Sequence, residues 1–230
     1  MKILKWESLP KNMRTVEVKE YYKIVYRKRA YLLIKRLTDM IFSCLLLILL
    51  LPLFAMVGIL IKIDSTGPIM FTQIRVTQYG KLFRIFKFRT MVQRAEKIGS
   101  QVTVTNDPRI TRIGKVLRKY RIDEMPQLFN IIMGDMTLVG TRPEVPKYVD
   151  CYTPTMRATL LLPAGVTSLA SIAYKDEEKL LSKTNNPDET YLEVVLPNKM
   201  SYNLEAIIKL SLINDIKIIY KTITAVIKRN

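Results

Sequence analysis

The run IFSCLLLILLLPLFAMVGILIKI, Ile41 to Ile63, decides the architecture. It carries one charge, Lys62 near its end, and as a helix it is long enough to cross the roughly 30 Å hydrocarbon core of a bilayer. Pro52 stands at its middle. A proline there removes one backbone hydrogen bond and crowds the preceding turn, so the spacing predicts a break or kink at Pro52. Each half is then about eleven residues, roughly 16 Å of helix, too short to cross alone. Eleven Lys or Arg lie in the first forty residues, and the chain after Lys62 is also basic. The positive-inside bias disfavours putting two such flanks on opposite sides. A re-entrant helix-break-helix keeps both on the cytoplasmic face, provided the backbone freed at the break finds local partners. The alternatives are a kinked span and the core helix of a soluble protein. A secretory leader is not expected, because about forty residues precede the run and no small-residue cleavage site follows it.

The 230 residues can bury one sizeable core, and 49% of them are hydrophobic, which excludes a disordered tail. The formal net charge of +17 calls for an anionic partner: nucleic acid, anionic lipid or a phosphorylated small molecule. Cys44 and Cys151 form neither a disulfide scaffold nor a zinc site, and read as structural cysteines of a reducing compartment. Histidine is absent, so acid and base chemistry falls to Asp, Glu, Lys or Tyr.

The pattern divides the chain into a basic N-terminal extension (1–30), the membrane element (31–64) and a catalytic domain (65–230). The expected fold is α+β and mainly helical, with a short β-hairpin and amphipathic interfacial helices. Glu17 to Arg29 reads as a surface helix. Asp64-Ser65-Thr66-Gly67-Pro68 is a turn cluster that ends the membrane element. Ile69 to Val76 and Lys81 to Phe88 read as strands around Gln78-Tyr79-Gly80, with Met70/Thr72/Ile74 and Leu82/Arg84/Phe86 as inner faces. Thr90 to Ile98 reads as a short helix. Asn106-Asp107-Pro108 offers a capped start to a helix through Tyr120. Asp123 reads as the N-cap of Glu124 to Met133, ended by Gly134. Thr137 to Val139 reads as a strand, and Tyr202 to Lys228 as one amphipathic helix on the domain or at the lipid interface.

The chemistry centres on Arg121-Ile122-Asp123-Glu124-Met125-Pro126-Gln127. Its adjacent carboxylates follow a segment, Arg75 to Arg121, with thirteen Lys or Arg and only Glu96 and Asp107 as acids. An Asp at a helix start near Arg118 and Arg121 is expected to have a lowered pKa, making it a poor base but a lasting carboxylate nucleophile. Attack on a diphosphate would need Mg²⁺ and cationic clamps to offset repulsion, with Glu124 the nearest hard-oxygen ligand. A helix cap with an exposed salt bridge is the competing reading of the pair.

The surrounding blocks resemble the bacterial sugar transferase family, the monotopic polyprenyl-phosphate phosphoglycosyl transferases, in their minimal form. The resemblance lies in Ser65-Thr66-Gly67-Pro68 with Phe71, Gln73 and Arg75; in Lys87-Phe88-Arg89-Thr90-Met91; and in Asn106 to Gly114 with Leu117-Arg118. It continues through Asp123-Glu124-x-Pro126-Gln127-Leu128-x-Asn130, Gly134-Asp135-Met136 and Val139-Gly140-x-Arg142-Pro143-Glu144, covering about Lys35 to Val166. It implies transfer of a sugar-1-phosphate from a UDP-sugar to polyprenyl phosphate with release of UMP. Asp123 would attack and Glu124 support it, the two organising Mg²⁺. Lys87, Arg89, Arg118, Arg142 and Glu144 would bind substrate, and Pro52 would mark the membrane break. The implied setting is the cytoplasmic face of a bacterial inner membrane, with UDP-sugar, polyprenyl phosphate and membrane lipid as partners and no nucleic acid. A homodimer stays open.

Three departures stand out. Leu51 precedes Pro52 where the family usually has serine, Thr77 replaces a common glycine, and the P-G-[IV]-T-G-x-x-Q block reads Pro163-Ala164-Gly165-Val166-Thr167-Ser168-Leu169-Ala170-Ser171. A membrane-tethered basic lipid- or nucleic-acid-binding protein without catalysis explains the charge but not the acidic pair. A glycosyl transferase with no covalent intermediate is the other rival.

Overall fold

In the computed structural model, residues 1, 3–93, 95 and 107–228 are described. Helix α1 (Val16–Arg27) leads directly into α2 (Arg29–Asp64). The helix is not interrupted at Pro52: α2 continues through it as one helix of 36 residues. One proline costs a single ladder bond, and the flanking turns of Leu, Ile and Val carry the helix past it. One face of α2 is buried through Leu32, Lys35, Asp39, Ser43, Val57, Gly58 and Ile61. The other is bare and apolar, with Ile48, Leu49 and Ile63 exposed to 66%, 73% and 78%. By length and composition α2 qualifies as a membrane-crossing helix.

Strands β1 (Met70–Val76) and β2 (Leu82–Phe88) form the antiparallel hairpin, with Met70 opposite Phe88 and Val76 opposite Leu82. Its inner face is one residue out of phase with expectation. Phe83 and Ile85 are buried while Leu82 and Ile74 are exposed, because a one-residue shift exchanges every side chain between faces. Lys87 shares the buried alternation of β2 and is thereby aimed inwards. Thr77 needs no glycine, since its backbone is extended (φ −126°). Its hydroxyl donates to the Asp135 carbonyl at 2.6 Å and accepts from the Ala164 amide at 3.1 Å, fastening the hairpin to the second sheet.

No helix occupies Thr90 to Gln93. Met91 bridges to Ile110 instead, and Arg94 and Glu96 to Ile98 fall outside the described residues. Helix α3 (Arg112–Lys119) starts five residues later than Asp107, capped by the Thr111 hydroxyl, which accepts from the Gly114 amide. Asp107 is spent on Arg109, at 2.6 Å. Asp123 is likewise not an N-cap. It sits in a 3₁₀ turn, Ile122–Glu124, and α4 (Gln127–Met133) begins after Pro126. Gly134, at φ +95°, closes α4 in the left-handed conformation expected of a terminal glycine.

Strand β3 (Met136–Val139) pairs in parallel with β4 (Ala164–Thr167), an element the sequence pattern did not reveal. Gly140 and Gly165 touch backbone to backbone: a Cβ on Gly165 would lie 2.1 Å from the Gly140 nitrogen. That close approach fixes the loop carrying Arg142. Short helices α5 (Pro146–Asp150), α6 (Leu169–Ala173), α7 (Glu177–Leu181) and α8 (Pro187–Thr190) precede α9 (Leu196–Ile208) and α10 (Leu212–Ile227). The single C-terminal helix expected is therefore two, divided where the Ser211 hydroxyl caps α10 by accepting from the Asn214 amide at 3.2 Å. The main core joins Leu9, Met13, Val18 and Val25 of the N-terminal stretch to Val195, Leu196 and Met200. A second core sets Leu47 and Leu50 of α2 against Phe83, Ile85, Leu128 and Ile131.

Candidate active site

The acidic pair is held between β2, α3 and the loop after β3. Arg121, in the left-handed conformation at φ +57°, turns the chain out of α3, and the next turn presents Asp123 and Glu124, both buried. Asn130 locks this segment to β2: its Oδ1 accepts from the Phe86 amide at 3.0 Å and its Nδ2 donates to the Arg84 carbonyl at 2.8 Å. Lys87 is thus set opposite Glu124.

Glu124 gathers three cations. Lys87 Nζ donates to Oε1 at 3.0 Å, Arg142 Nη1 donates to Oε2 at 3.0 Å while its Nη2 pairs with Oε1, and Arg121 stands 3.7 Å away. Burial alone would raise the Glu124 pKa, but the charges of Arg142 and Lys87 overrule it and hold the carboxyl well below its usual range. Burial lowers Lys87, with Glu124 opposing. Glu124 in turn raises Arg142.

Asp123 reverses the expectation drawn from its neighbours. Its burial, and next the charge of Glu124, push it up to about 6, against the opposing pull of Lys87, Arg121 and Arg118. Its Oδ1 is buried without a hydrogen-bond partner. At neutral pH roughly nine-tenths of such a group is ionised, so it remains a carboxylate, but a desolvated and more basic one. A buried charge with an oxygen left unpaired is costly to maintain.

The other expected site residues divide. Lys87 and Arg142 converge on the pair, and Arg118 lies close enough to Asp123 to act on it electrostatically, although its guanidinium pairs with Glu178 of α7. Arg89 lies elsewhere. It is buried and donates to the Thr66 carbonyl at 2.9 Å and to the Ser65 carbonyl at 2.7 Å, closing the C-terminal end of α2. Glu144 makes no hydrogen bond to the pair but acts electrostatically on Arg142. It accepts from the Tyr191 hydroxyl and stands 3.5 Å from Lys199 and 3.9 Å from Arg75. Tyr191 and Lys199 were not legible from local sequence, since their partner is about fifty residues away. Gln127 was quoted only as part of a block, yet it is buried with neither amide atom partnered.

The donor set does not make a closed metal cage. Among the described residues no group of three or more acidic, thiol or imidazole side chains converges, and both Glu124 oxygens already accept from cations. The chemistry of the pair is compatible with Mg²⁺ brought with a diphosphate, which needs only one or two carboxylates besides phosphate and water; the Asp123 carboxylate, whose Oδ1 lacks a hydrogen-bond partner, would be the first such ligand.

A family model described as bacterial sugar transferase matches residues 30–229. The chain belongs to this family. It is 36% identical over 200 residues to the UDP-N-acetylgalactosamine-undecaprenyl-phosphate N-acetylgalactosaminephosphotransferase of Aeromonas hydrophila, covering 86% of this chain and 44% of that protein. It is 32% identical over 196 residues to the UDP-glucose:undecaprenyl-phosphate glucose-1-phosphate transferase of Escherichia coli strain K12, covering 83% and 39%. Against the undecaprenyl-phosphate galactose phosphotransferase of Salmonella typhimurium it is 29% identical over 218 residues, covering 88% and 42%. The chain thus spans less than half the length of each of these three relatives. Their names carry three different sugars and one lipid phosphate.

Proposed function

We propose that this chain transfers a sugar-1-phosphate from a UDP-sugar to undecaprenyl phosphate and releases UMP, starting the assembly of a surface glycan. The observation that carries this reading is a desolvated carboxylate with an unpaired oxygen, Asp123, beside a second carboxylate that organises Lys87, Arg121 and Arg142. Asp123 forms a bond to the sugar-proximal phosphorus as the bond from that phosphorus to the UMP oxygen breaks, and the electron pair leaves with UMP. An oxygen of the lipid phosphate then attacks the same phosphorus and frees Asp123. Glu124 keeps the three cations oriented, and Arg142, Lys87 and Arg118 take the phosphate charge. Asp123 and Glu124 would hold Mg²⁺, which would supply further neutralisation of the diphosphate. Arg89 and Glu144 act as supports for the site. The sugar is left open by relatives that differ in it.

The reaction is tested with purified protein, Mg²⁺, undecaprenyl phosphate and a panel of UDP-sugars. The expected products are UMP and a lipid-linked diphosphosugar; release of UDP instead would mean that a different bond is broken. In the same assay kcat/KM is expected to fall on the acid side with an apparent pKa of about 6. Protonation of Asp123 removes the nucleophile while Glu124 stays ionised, so the limb has the slope of one proton. A flat profile down to pH 5 would disconnect Asp123 from the chemistry.

We also propose that α2 enters the cytoplasmic face of the membrane and returns to it, bent at Pro52. Both of its ends are tied to the same body. Near the start, Lys35 pairs with Asp215 at 2.7 Å and Arg36 donates to the Ile132 carbonyl at 3.0 Å; at the end, Asp64 accepts from the Ile113 amide at 2.9 Å. A straight helix of this length would separate those ties by about 40 Å, more than the hydrocarbon layer. The exposed apolar face of α10 (Ile213, Ile216, Tyr220, Ile223, Ile227) lies at the interface. Single cysteines near residues 20 and 120, in a background lacking Cys44 and Cys151, are expected to react only with reagent on the cytoplasmic side; labelling from opposite sides would defeat this topology.

A further inference from the structure

Five buried side-chain atoms among the described residues lack a hydrogen-bond partner, and three of them lie one turn apart: Asp123 Oδ1, Gln127 Nε2 and Gln127 Oε1. The other two, Ser43 Oγ and Arg89 Nε, are isolated. The backbone joining Asp123 to Gln127 is helical at every step: a 3₁₀ turn to Glu124, then Met125 at φ −57° and Pro126 at φ −61°. Residues four apart on such a backbone share a face. Gln127, three residues from Glu124 and four from Asp123, therefore stands on the face of the acidic pair. It is 1% exposed, and a carboxamide buried with both ends unpaired is among the more costly groups a core can hold. Leucine at the first position of α4 would satisfy the core without that cost.

We propose that Gln127 is a catalytic side chain, donating from Nε2 to a non-bridging oxygen of the phosphoryl group that Asp123 attacks. The inference rests on the reading of Asp123 as nucleophile. Three features favour a phosphoryl oxygen. Asp123 retains only 8% of its surface, so what reaches the pair must be small and protruding. The attacking carboxylate already brings one negative charge, and a neutral donor adds stabilisation without pairing with and quenching that carboxylate as a lysine there would. The amide also offers an acceptor beside its donor, matching a phosphosugar in which a phosphoryl oxygen neighbours a hydroxyl or amide N–H of the sugar. A donor poised where charge grows in the transition state acts chiefly on kcat.

The test is Gln127→Leu, with Gln127→Met as a second variant of similar length, each measured for thermal unfolding without substrate and for kcat and KM in the UMP-release assay. Removing unpaired polar atoms is expected to leave the melting temperature unchanged or raised, while kcat falls at least tenfold and KM for the UDP-sugar changes less than threefold. If both variants keep kcat within threefold of the parent, or if both melt lower with activity lost in proportion, Gln127 is structural and the proposal is wrong. Asp123→Asn in the same series separates the two readings. Turnover in that variant sinks the nucleophile and with it the role of Gln127; an inactive Asp123→Asn beside an active Gln127→Leu sinks the second alone.

Discussion

Asp123→Asn is expected to lower UMP release by about 10³-fold or more, the scale on which removal of a covalent nucleophile acts, and to make the ligand-free protein more stable. The two effects have one cause. Burial and the charge of Glu124 raise Asp123 from 3.8 to about 6. Between those values the folded state binds a proton that the unfolded state has released, so the ionised group favours unfolding above pH 6. Asparagine has the same shape and no charge. At pH 7.5 the relief is on the order of 2–3 kcal/mol, seen as a melting temperature several degrees higher for a chain of this size. As pH falls towards 4 the parent carboxyl becomes protonated and the advantage disappears. Near-parental turnover would remove Asp123 from the chemistry. Lost activity with a lower melting temperature would mean that the residue holds the fold instead.

That acidity illustrates what one-dimensional reading can reach. Neighbours in sequence, Arg118 and Arg121, argue for a stronger acid, and they do act in that direction. The larger influence is burial, which depends on β2, α3 and the Arg142 loop closing around the turn and has no local signature. Elements whose signals are local were legible: the hairpin around Gly80, the glycine stop at Gly134 and the β3 segment. The hairpin faces were not, because Leu82 and Phe86 supply one apolar alternation on β2 while Phe83 and Ile85 supply another; the choice is made by Leu128 and Ile131 of α4 packing on the second. Short motifs located Lys87, Arg142, Asp123 and Glu124 together because all four converge on one point. The same blocks hold Arg89 and Glu144, whose direct partners are the end of α2 and the pair Tyr191 and Lys199. A motif records that a residue is needed, and a strut beside a site is needed as much as a ligand within it.

Glu124→Gln tests the electrostatic half of the site. It is expected to lower activity at least 10²-fold and to cost about 3–5 kcal/mol of stability at neutral pH, the range for breaking one partner out of a buried ion cluster. In the parent, one carboxylate answers Lys87, Arg142 and Arg121; glutamine leaves them facing each other across the same buried space. The pH dependence separates this account from simple loss of packing. Burial already lowers Lys87, and Glu124 is the largest influence holding it up. Without Glu124 the folded pKa of Lys87 falls further below its unfolded value, so the folded state sheds a proton that the unfolded state keeps, and stability rises with pH through that window. The variant is therefore expected to recover part of its deficit as pH rises from neutral towards the ordinary lysine range, read as a narrowing gap in melting temperature against the parent. The parent loses its own Glu124 contribution only on acidification below about 4.5, as the depressed carboxyl finally protonates. A deficit that stays constant as pH rises from neutral would place the loss in shape, with the three cations already paired elsewhere.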